Sequence, residues 1–354
     1  MSNWPPIAPQ NIILKMPNWL GDLVMATAAI ADLKNHFPKA KITALCQSNV
    51  ASLLENNPAI DEIISYKKPS GWIHRIEHYD LIQDIRLGDY NLGVLFTNSF
   101  SSAWWFWRGH VKYRLGYGDL TRSLLLTKAV REPTKKATQH LVTTYKEILT
   151  PLGIAVSNTA PQLFITEEEK RTARDFLALK GINVDKDLIL GINPGAAYGS
   201  AKCWLPERFI EVTKKLLRHD RLQVIYFGDQ AGKSLVDAIC QELPKDQVVN
   251  LAGKTSLREL IALIDCCSLF LTNDSGPMHI SAALKVPLVA LFGSTNDVST
   301  GPYGSGTVIH KHVECSPCYK RECPIDFRCM TRISVDEVYN ELETLVKDPS
   351  EALK

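Results

Sequence analysis

The sequence predicts an α/β protein made of two Rossmann-like domains. Short apolar runs alternate with segments of helical period along the 354 residues, and this alternation starts again near the middle of the chain. With 45% hydrophobic and 22% charged residues, the composition is that of a globular protein long enough for two domains. We expect the domains to cover residues 1–165 and 185–332, and residues 333–354 to form a terminal helix.

The first half opens with an apolar run at residues 12–15, followed by a segment at 22–37 whose apolar side chains recur at helical spacing. Strands that are buried on both faces of a parallel sheet have continuous apolar sequences, so each short apolar run is interpreted as a strand. The other runs of this half lie at residues 41–45, 62–64, 81–82 and 94–96.

The second half repeats the pattern more regularly. Predicted strands lie at residues 188–192, 223–227, 248–249, 268–272 and 286–292, and predicted helices at 206–219, 233–243, 257–266 and 280–284. The last segment, 334–347, is amphipathic because Val335, Val338, Leu342 and Leu345 recur at helical spacing. In a two-domain chain, such a helix is expected to pack back across the domains.

Charge and composition limit the classes of partner. The net charge of +2 argues against nucleic-acid binding, but residues 65–140 hold twelve Lys or Arg against six Asp or Glu, which makes this stretch a candidate for contact with an anionic partner. Residues 1–10 lack the features of a signal peptide, and no apolar run elsewhere is long enough for a membrane span. Nine cysteines without regular spacing suit a reducing compartment, so a cytoplasmic protein is predicted.

The most informative motif is the turn at residues 273–279, which joins a buried strand to a helix. Pro277 suits the first helical position, where its missing N–H costs nothing, and the free N–H groups then lie at the positive end of the helix dipole. An anion bound there would meet these donors, the Ser275 hydroxyl and the His279 imidazole. The alternative is a helix start with a packing histidine and no ligand.

Two further strand-end loops of the second half carry candidate ligand groups. In the loop at 193–204, Gly195 lets the backbone approach a ligand, and Lys202 is a cation that could neutralise a phosphate. The alternative for Lys202 is a solvated surface lysine. The turn that contains Gly228 and Asp229 is suited to holding a ribose or a base through polar groups.

The first strand leads into a turn with Gly21, followed by Asp22 at a helix start. Asp22 has two interpretations: a carboxylate that caps the helix, or a general base at the sheet edge where open α/β sheets bind their ligands. The spacing of this turn is not GxGxxG, which disfavours a nicotinamide dehydrogenase. An anion site, a cation and a carboxylate together suit a transferase that uses a nucleotide sugar.

These motifs resemble those of the bacterial lipopolysaccharide heptosyltransferases of glycosyltransferase family 9. The similarity covers nearly the whole chain and is greatest to the heptosyltransferase II subgroup. The matching segments, in chain order, are Gly21-Asp22, Asn98-Ser99-Phe100, Arg114-Leu115-Gly116-Tyr117, Pro194-Gly195-Ala196 through Lys202, residues 273–276 with His279, and residues 287–293. Two positions depart from the pattern, because Ala197 and Cys203 stand where an acidic and a basic residue are expected.

The resemblance implies a GT-B fold, with two Rossmann-like domains facing across a cleft, and an inverting transfer of L-glycero-D-manno-heptose. The donor would be ADP-heptose, and the acceptor the first heptose of the inner core in heptosyl-Kdo2-lipid A. Another heptosyltransferase subtype, or a non-catalytic nucleotide-sugar or metal-binding module, is the alternative. No cofactor and no catalytic metal are implied, since a lysine and a helix dipole can offset the charge of the leaving ADP.

The resemblance also assigns roles to individual residues. Asp22 would be the catalytic base and Lys202 the cation at the leaving group. The implied donor-binding residues are Gly195, Lys202, Gly228, Asp229, Asp274, Ser275, Gly276 and His279. The implied acceptor-binding residues are Asn18, Asn98, Ser99, Lys112 and Arg114.

Four cysteines, Cys315, Cys318, Cys323 and Cys329, lie within a short segment and raise the possibility of a zinc site. A structural site of four cysteines usually has two C-x-x-C pairs, and here the second pair is separated by five residues. Reduced, packed cysteines are therefore the favoured interpretation, with zinc binding as the alternative.

The segment 104–108 places four aromatic side chains beside Arg108, and further basic residues follow. Four consecutive rings cannot all face the core of one element, so we expect about two of them to be buried. The others suit an anionic membrane interface. Together with the lipid-anchored acceptor that the resemblance implies, they predict peripheral contact with the cytoplasmic face of the inner membrane.

Overall fold

A computed structural model describes residues 8–68, 71, 76, 78–132 and 138–347. The chain forms two compact units, Met1–Phe164 and Ile165–Lys354. In the described residues, each unit contains a six-stranded sheet in which all neighbouring strands are parallel. The prediction of an α/β protein with two Rossmann-like domains is therefore confirmed.

The sheet of the first unit has the strand order β3-β2-β1-β4-β5-β6. Strands β1 to β3 are added on one side and β4 to β6 on the other, so the topological switch point lies between β1 and β4. Ligands of such open sheets bind beyond the carboxyl ends of the strands at this switch point. The strands are β1 Asn11–Lys15, β2 Lys41–Gln47, β3 Glu62–Tyr66, β4 Leu92–Leu95, β5 Tyr113–Tyr117 and β6 Lys128–Val130. The helices are α1 Leu20–His36, α2 Tyr79–Leu87, α3 Phe100–Arg108 and α4 Leu141–Glu147, with 3-10 turns at Ala51–Leu54, Arg122–Leu124 and Thr150–Leu152.

The sheet of the second unit repeats this topology, in the order β12-β11-β10-β7-β8-β9. Its topological switch point lies between β7 and β10. Its strands are β7 Leu188–Asn193, β8 Leu222–Tyr226, β9 Val248–Asn250, β10 Leu269–Asn273, β11 Leu288–Phe292 and β12 Thr307–His310. Its helices are α5 Glu167–Leu179, α6 Pro206–Leu216, α7 Lys233–Gln241, α8 Leu257–Asp265, α9 Gly276–Ala283, α10 Asp297–Thr300, α11 Arg328–Thr331 and α12 Val335–Lys347, with a 3-10 turn at Ser200–Lys202.

The apolar run at 81–82 is not a strand, and this prediction was wrong. Leu81 and Ile82 lie in α2, where they share a buried face with Ile85. A two-residue run cannot distinguish helix from strand, and here the helical recurrence three to four residues later decides. The other predicted strands and the predicted helices are present, with ends that shift by a few residues.

Helix α12 supplies Val338, Leu342 and Leu345 to the hydrophobic core of the second unit, where it packs against α6. Its amphipathic pattern is thereby accounted for, while the expectation that it packs across both domains stays a prediction. Within the described ranges, every helix is too short or too polar to serve as a transmembrane span.

The end of β1 carries a buried lysine. Lys15 is 1% exposed, and its ammonium group donates hydrogen bonds to the Met16 carbonyl at 2.7 Å and to Asn18 Oδ1 at 3.3 Å. The ammonium also lies over the Tyr66 ring, 5.2 Å from its centroid. Burial lowers the pKa of Lys15 to about 7, although the nearby Cys46 thiol opposes this shift. Lys15 thus holds the turn that follows β1 at the cost of a buried charge.

Because of this shift, we expect Lys15 to make stability depend on pH. An unfolded lysine keeps its proton up to about pH 10.4, whereas Lys15 loses its proton near pH 7 in the folded protein, so the unfolded state binds more protons and stability rises with pH. Between pH 7 and about 8.5, the free energy of unfolding of the wild type should rise by about 2 kcal/mol relative to Lys15→Met.

The measurement is urea denaturation of both proteins at several pH values. Titration of the thiols in the unfolded chain affects both proteins alike, so the difference between the two stability curves isolates Lys15. If the two stability curves run parallel from pH 7 to about 8.5, Lys15 is not the group responsible.

Candidate active site

Two asparagines connect the loops that follow β7 and β10. Asn273, which is fully buried, accepts a hydrogen bond from the Trp204 backbone N–H at 3.0 Å and donates one to the Pro194 carbonyl at 2.7 Å. Asn193 donates to the Gly195 carbonyl at 2.9 Å and to Ser275 Oγ at 3.2 Å. These bonds fix the loop of 193–204 beside the turn of 273–276, so the structure brings these two predicted motifs together.

Lys202 and Asp274 form a partly buried ion pair at this junction. The Lys202 Nζ atom lies 2.5 Å from Asp274 Oδ2, and the two side chains are 14% and 5% exposed. Thr295, in the loop after β11, donates a hydrogen bond to the same carboxylate oxygen at 2.6 Å. Lys202 is therefore not a freely solvated lysine, and the alternative interpretation of this residue was wrong.

The turn at 273–279 leads into α9, which begins at Gly276. Pro277 is therefore the second helical residue, one position later than predicted, and it removes one of the free N–H donors of the first turn. Ser275 occupies the N-cap position, but its hydroxyl makes no capping bond and instead contacts Thr272 Oγ1 at 3.0 Å. His279 is buried in the same helix, with 6% of its surface exposed.

The loop at 193–204 also contains two glycines with different surroundings. A Cβ atom at Gly195 would meet nothing within 4 Å, so open space adjoins the backbone there. Gly199 has a φ of +155°, and a Cβ atom there would lie 2.3 Å from the Arg321 carbonyl oxygen. The ring of Tyr198 contacts two cations, since the Lys202 ammonium is 5.1 Å and the Arg321 guanidinium 5.5 Å from its centroid. Tyr198 and Arg321 were missed by the sequence analysis.

The turn after β8 is closed by its own side chain. Asp229 Oδ1 accepts a hydrogen bond from the Gly232 backbone N–H at 2.7 Å. The Gly228 carbonyl accepts one from the Gly253 N–H at 2.9 Å. Asp229 thus already stabilises its turn, and the prediction that Gly228 and Asp229 bind a donor stays a prediction.

In the first unit, Asp22 lies in the first turn of α1, whose N-cap residue is Trp19. The interpretation of Asp22 as the helix cap was therefore wrong, although a carboxylate in the first turn still interacts favourably with the helix dipole. Burial raises the pKa of Tyr145 well above its usual value, and the negative charge of Asp22 adds to this shift. Asn18, in the turn before α1, is exposed and accepts the hydrogen bond from Lys15.

Asn98 and Ser99 follow β4, next to β1 in the sheet. The Asn98 amide donates to Glu132 Oε1 at 3.1 Å, and Ser99 is the N-cap of α3, where its hydroxyl accepts from the Ser102 N–H at 3.3 Å. Arg122, one of the basic residues after the aromatic segment that were expected to favour an anionic membrane, is instead 1% exposed and donates to the Thr97 carbonyl at 2.5 Å, so this expectation was wrong for Arg122. Burial lowers its pKa to about 10.

The two predicted basic acceptor residues differ in their contacts. The Arg114 guanidinium donates to the carbonyls of Leu125 and Val111, each at 2.6 Å, which ties the chain around β5 together. The Lys112 ammonium contacts the face of Tyr113 at 5.7 Å from the ring centroid. For both residues acceptor binding stays a prediction.

The aromatic segment lies in α3, where two rings are buried, one is half-buried and one is exposed. Trp105 and Phe106 belong to the core of the first unit, as the prediction of two buried rings requires. Trp104 is half-buried against this core, and Trp107, which is 42% exposed, lies 5.0 Å from it, between ring centroids. The Arg108 guanidinium is 5.9 Å from the centroid of the Trp104 ring, so a cation lies beside this pair of rings.

The four clustered cysteines lie near one another, since the thiols of Cys315, Cys323 and Cys318 contribute to raising the pKa of Cys329 to about 11, behind the larger effect of burial. Among the described residues, however, the group compact enough to hold a metal ion is Asp297, His310 and His312. Zinc binding by the cysteines stays an open alternative.

Known proteins share both the sequence and the fold of this chain. The sequence model of glycosyltransferase family 9 (heptosyltransferase) matches residues 78–327. A lipooligosaccharide heptosyltransferase 2 of Campylobacter jejuni is 30% identical over 95% of this chain and 98% of its own. The structure of Escherichia coli ADP-heptose LPS heptosyltransferase II superposes with a TM-score of 0.80 at 26% identity, over 96% of this chain and 99% of that one.

A second solved structure, a family 9 glycosyltransferase from Veillonella parvula, superposes with a TM-score of 0.84 at 26% identity, over 96% of this chain and 97% of that one. Both superpositions extend over the two Rossmann-like units, so the chain has the GT-B fold that the sequence predicts. The family match extends over well more than half of the chain. The chain therefore belongs to glycosyltransferase family 9, the heptosyltransferases.

Proposed function

We propose that this glycosyltransferase moves L-glycero-D-manno-heptose from ADP-heptose to the first heptose of the lipopolysaccharide inner core. The observation that carries the donor assignment is the Lys202–Asp274 pair beside the start of α9. A diphosphate needs cations and N–H donors, and this junction supplies a lysine, a helix N-terminus and the open space at Gly195. Relatives that are named for the same activity support the assignment.

Asp22 is the proposed catalytic base. It removes the proton from the attacking hydroxyl of the acceptor heptose, and the oxygen then forms a bond to the anomeric carbon as the bond to ADP breaks. A single displacement of this kind inverts the configuration at the anomeric carbon. The position of Asp22 in the first turn of α1, just beyond the carboxyl end of β1, supports this role, because open α/β sheets place their reactive groups at this edge.

Lys202 is the proposed partner of the departing ADP. Negative charge grows on the diphosphate as the glycosidic bond breaks, and a lysine that the protein already holds in place stabilises this charge without a large reorganisation. The bonds of Asn273 and Asn193 fix the loop that carries Lys202. Asp274 then becomes free to accept a hydrogen bond from a hydroxyl of the donor sugar.

We further propose that the first unit contacts an anionic membrane surface, on the cytoplasmic face of the inner membrane, to reach the lipid-anchored acceptor. The exposed ring of Trp107 and the half-buried ring of Trp104, with Arg108 beside them, combine an aromatic surface with positive charge. Leu120 and Leu124 of the same unit are also exposed, at 98% and 85%. Aromatic and basic side chains on one surface favour an interface with anionic lipids.

A transfer assay with a choice of acceptors tests the proposed function. We expect ADP-heptose to be consumed with Kdo2-lipid A that carries one heptose, and little product with acceptors that carry none or two. Mass spectrometry of the lipid product gives the number of heptoses that were added. Preferential transfer to one of the other two acceptors would assign the protein to another subtype of the family, and no transfer to any of them would contradict the proposal.

Substitutions should separate the roles of Asp22 and Lys202. Asp22→Asn should lower kcat by at least about 100-fold while leaving ADP binding unchanged, since only the base is lost. Lys202→Met should weaken ADP binding as well as lower kcat, because the same charge stabilises the bound and the leaving diphosphate. Steady-state kinetics and calorimetric titration with ADP measure the two effects.

Matched controls exist for both variants. Asp80 is exposed in the first turn of α2, as Asp22 lies in the first turn of α1, and Lys186 is an exposed lysine of the second unit. Asp80→Asn and Lys186→Met should retain wild-type kinetics. Near-normal turnover in Asp22→Asn would remove this residue from catalysis.

The membrane contact predicts a salt-sensitive affinity for anionic vesicles. Combining Trp107→Ser with Arg108→Glu, two exposed residues outside the predicted acceptor-binding set, should reduce sedimentation with phosphatidylglycerol vesicles and slow transfer to vesicle-embedded acceptor, while transfer to detergent-dispersed acceptor stays unchanged. Lys186→Glu, in the second unit, serves as the control. Equal vesicle binding by the wild type and the double variant would overturn this part of the proposal.

A further inference from the structure

Three potential metal ligands converge in the second unit, outside the Lys202–Asp274 pair. Asp297 begins α10 after β11, His310 ends β12, and His312 follows two residues later. His310 Nδ1 lies 3.0 Å from Asp297 Oδ1, and His312 Nε2 lies 3.6 Å from Asp297 Oδ2. One ligand atom from each residue lies within 4.8 Å of the other two.

The hydrogen bonds around His310 fix which ring nitrogen is available. The Ser316 hydroxyl donates its only hydrogen to the Gly293 carbonyl, which can only accept. The contact of 2.8 Å between His310 Nε2 and Ser316 Oγ must then be donated by the imidazole N–H. In a neutral His310 the lone pair is therefore on Nδ1, directed at the Asp297 carboxylate. A cation between these two acceptors, a proton or a metal ion, is needed to stabilise this contact.

The position of His312 favours a metal ion over a proton. A proton between His310 and Asp297 would account for that pair but not for His312. The exposed His312 ring also contacts this carboxylate, and its centroid lies 4.1 Å from that of the His310 ring. Its backbone adopts a φ of +44°, a left-handed conformation that costs energy for a residue other than glycine. Ligands that surround a tetrahedral zinc ion lie about 3.4 Å apart. The two contacts of the Asp297 carboxylate, one through each oxygen, are 3.0 Å to His310 and 3.6 Å to His312 and lie on either side of this value.

We propose that Asp297, His310 and His312 bind a divalent transition metal ion of the zinc type. Two imidazoles and one carboxylate suit zinc better than calcium or magnesium, which prefer oxygen ligands alone. His310 would bind through Nδ1, and the bond from its Nε2–H to Ser316 would orient the ring, as partners of metal-bound histidines generally do. A water molecule completes the tetrahedron.

The metal ion would cross-link two segments that lie next to the candidate donor site. Asp297 directly follows the loop that contains Thr295, which donates to Asp274, and His312 lies in the segment that runs from the end of β12 to Tyr319. The Tyr319 N–H donates to the Ser294 carbonyl at 2.8 Å, so the two segments already touch. The role is structural and does not depend on the proposed function, because no step of the transfer passes through this ion.

Zinc titration of the untagged, reduced and chelator-treated full-length protein tests the proposal. We expect about one equivalent of zinc to bind by calorimetry, and the Tm to rise by roughly 5 °C when zinc is about 100-fold above its Kd. Asp297→Asn and His312→Ala should abolish both effects, and Ser316→Ala should weaken zinc affinity by about 10-fold to 100-fold. His36→Ala, which removes an exposed histidine of the first unit, should change nothing.

Cobalt in place of zinc distinguishes this site from the four cysteines. A cobalt–thiolate bond absorbs intensely in the near ultraviolet, and cobalt held by nitrogen and oxygen ligands does not. We therefore expect the visible bands of a tetrahedral cobalt site and no thiolate absorption. No binding, binding that survives both Asp297→Asn and His312→Ala, or thiolate absorption without the bands of a nitrogen and oxygen site would overturn the assignment. Circular dichroism confirms that each variant is folded, and the exposed side chain of His312 makes its removal compatible with folding.

Discussion

The candidate donor site depends on the buried side chain of Asn273. An amide that is removed from water must find partners for both its oxygen and its nitrogen, and Asn273 finds them in the Trp204 N–H and the Pro194 carbonyl. These two atoms belong to the loop that carries Lys202. The distance between Lys202 and Asp274 is therefore set by a hydrogen-bonded amide in the core, and loss of this amide would leave two backbone groups without partners.

Both units have the same sheet topology, and in each unit polar groups lie at one edge of the sheet. All strands of a unit run in the same direction, so their carboxyl ends meet, and the loops that follow them can exchange hydrogen bonds. In the second unit these loops carry Lys202, Asp274 and Thr295. In the first unit the corresponding loops carry Asn18 and Asn98, with the buried Arg122 bound to the end of β4.

The sequence predicted the features that local patterns encode. Strands inside a parallel sheet are continuously apolar, which made β1, β7, β10 and β11 recognisable in the sequence. The edge strand β6 was missed because it has three residues and is largely exposed, so no apolar pattern marks it.

Residues whose role depends on distant partners were also missed. Arg122 is buried only because the carbonyls of Thr97 and Tyr117 surround its guanidinium, and Asp297 faces His310 only after β11 and β12 have paired. The sequence spacing of these residues does not predict such contacts. The start of α1 was misplaced for another reason, because Trp19 is not a residue type that favours the N-cap position.

The Lys202–Asp274 pair also has a consequence for the turnover cycle. If Lys202 binds the diphosphate as proposed, an arriving donor must compete with a counter-ion that is part of the protein, because the Asp274 carboxylate already neutralises this lysine. On the same proposal, the carboxylate would return to the lysine when ADP leaves, so that the ammonium group is not left uncompensated in a poorly hydrated position. The pair would then weaken the binding of the donor and of the spent nucleotide alike, and so favour rapid release.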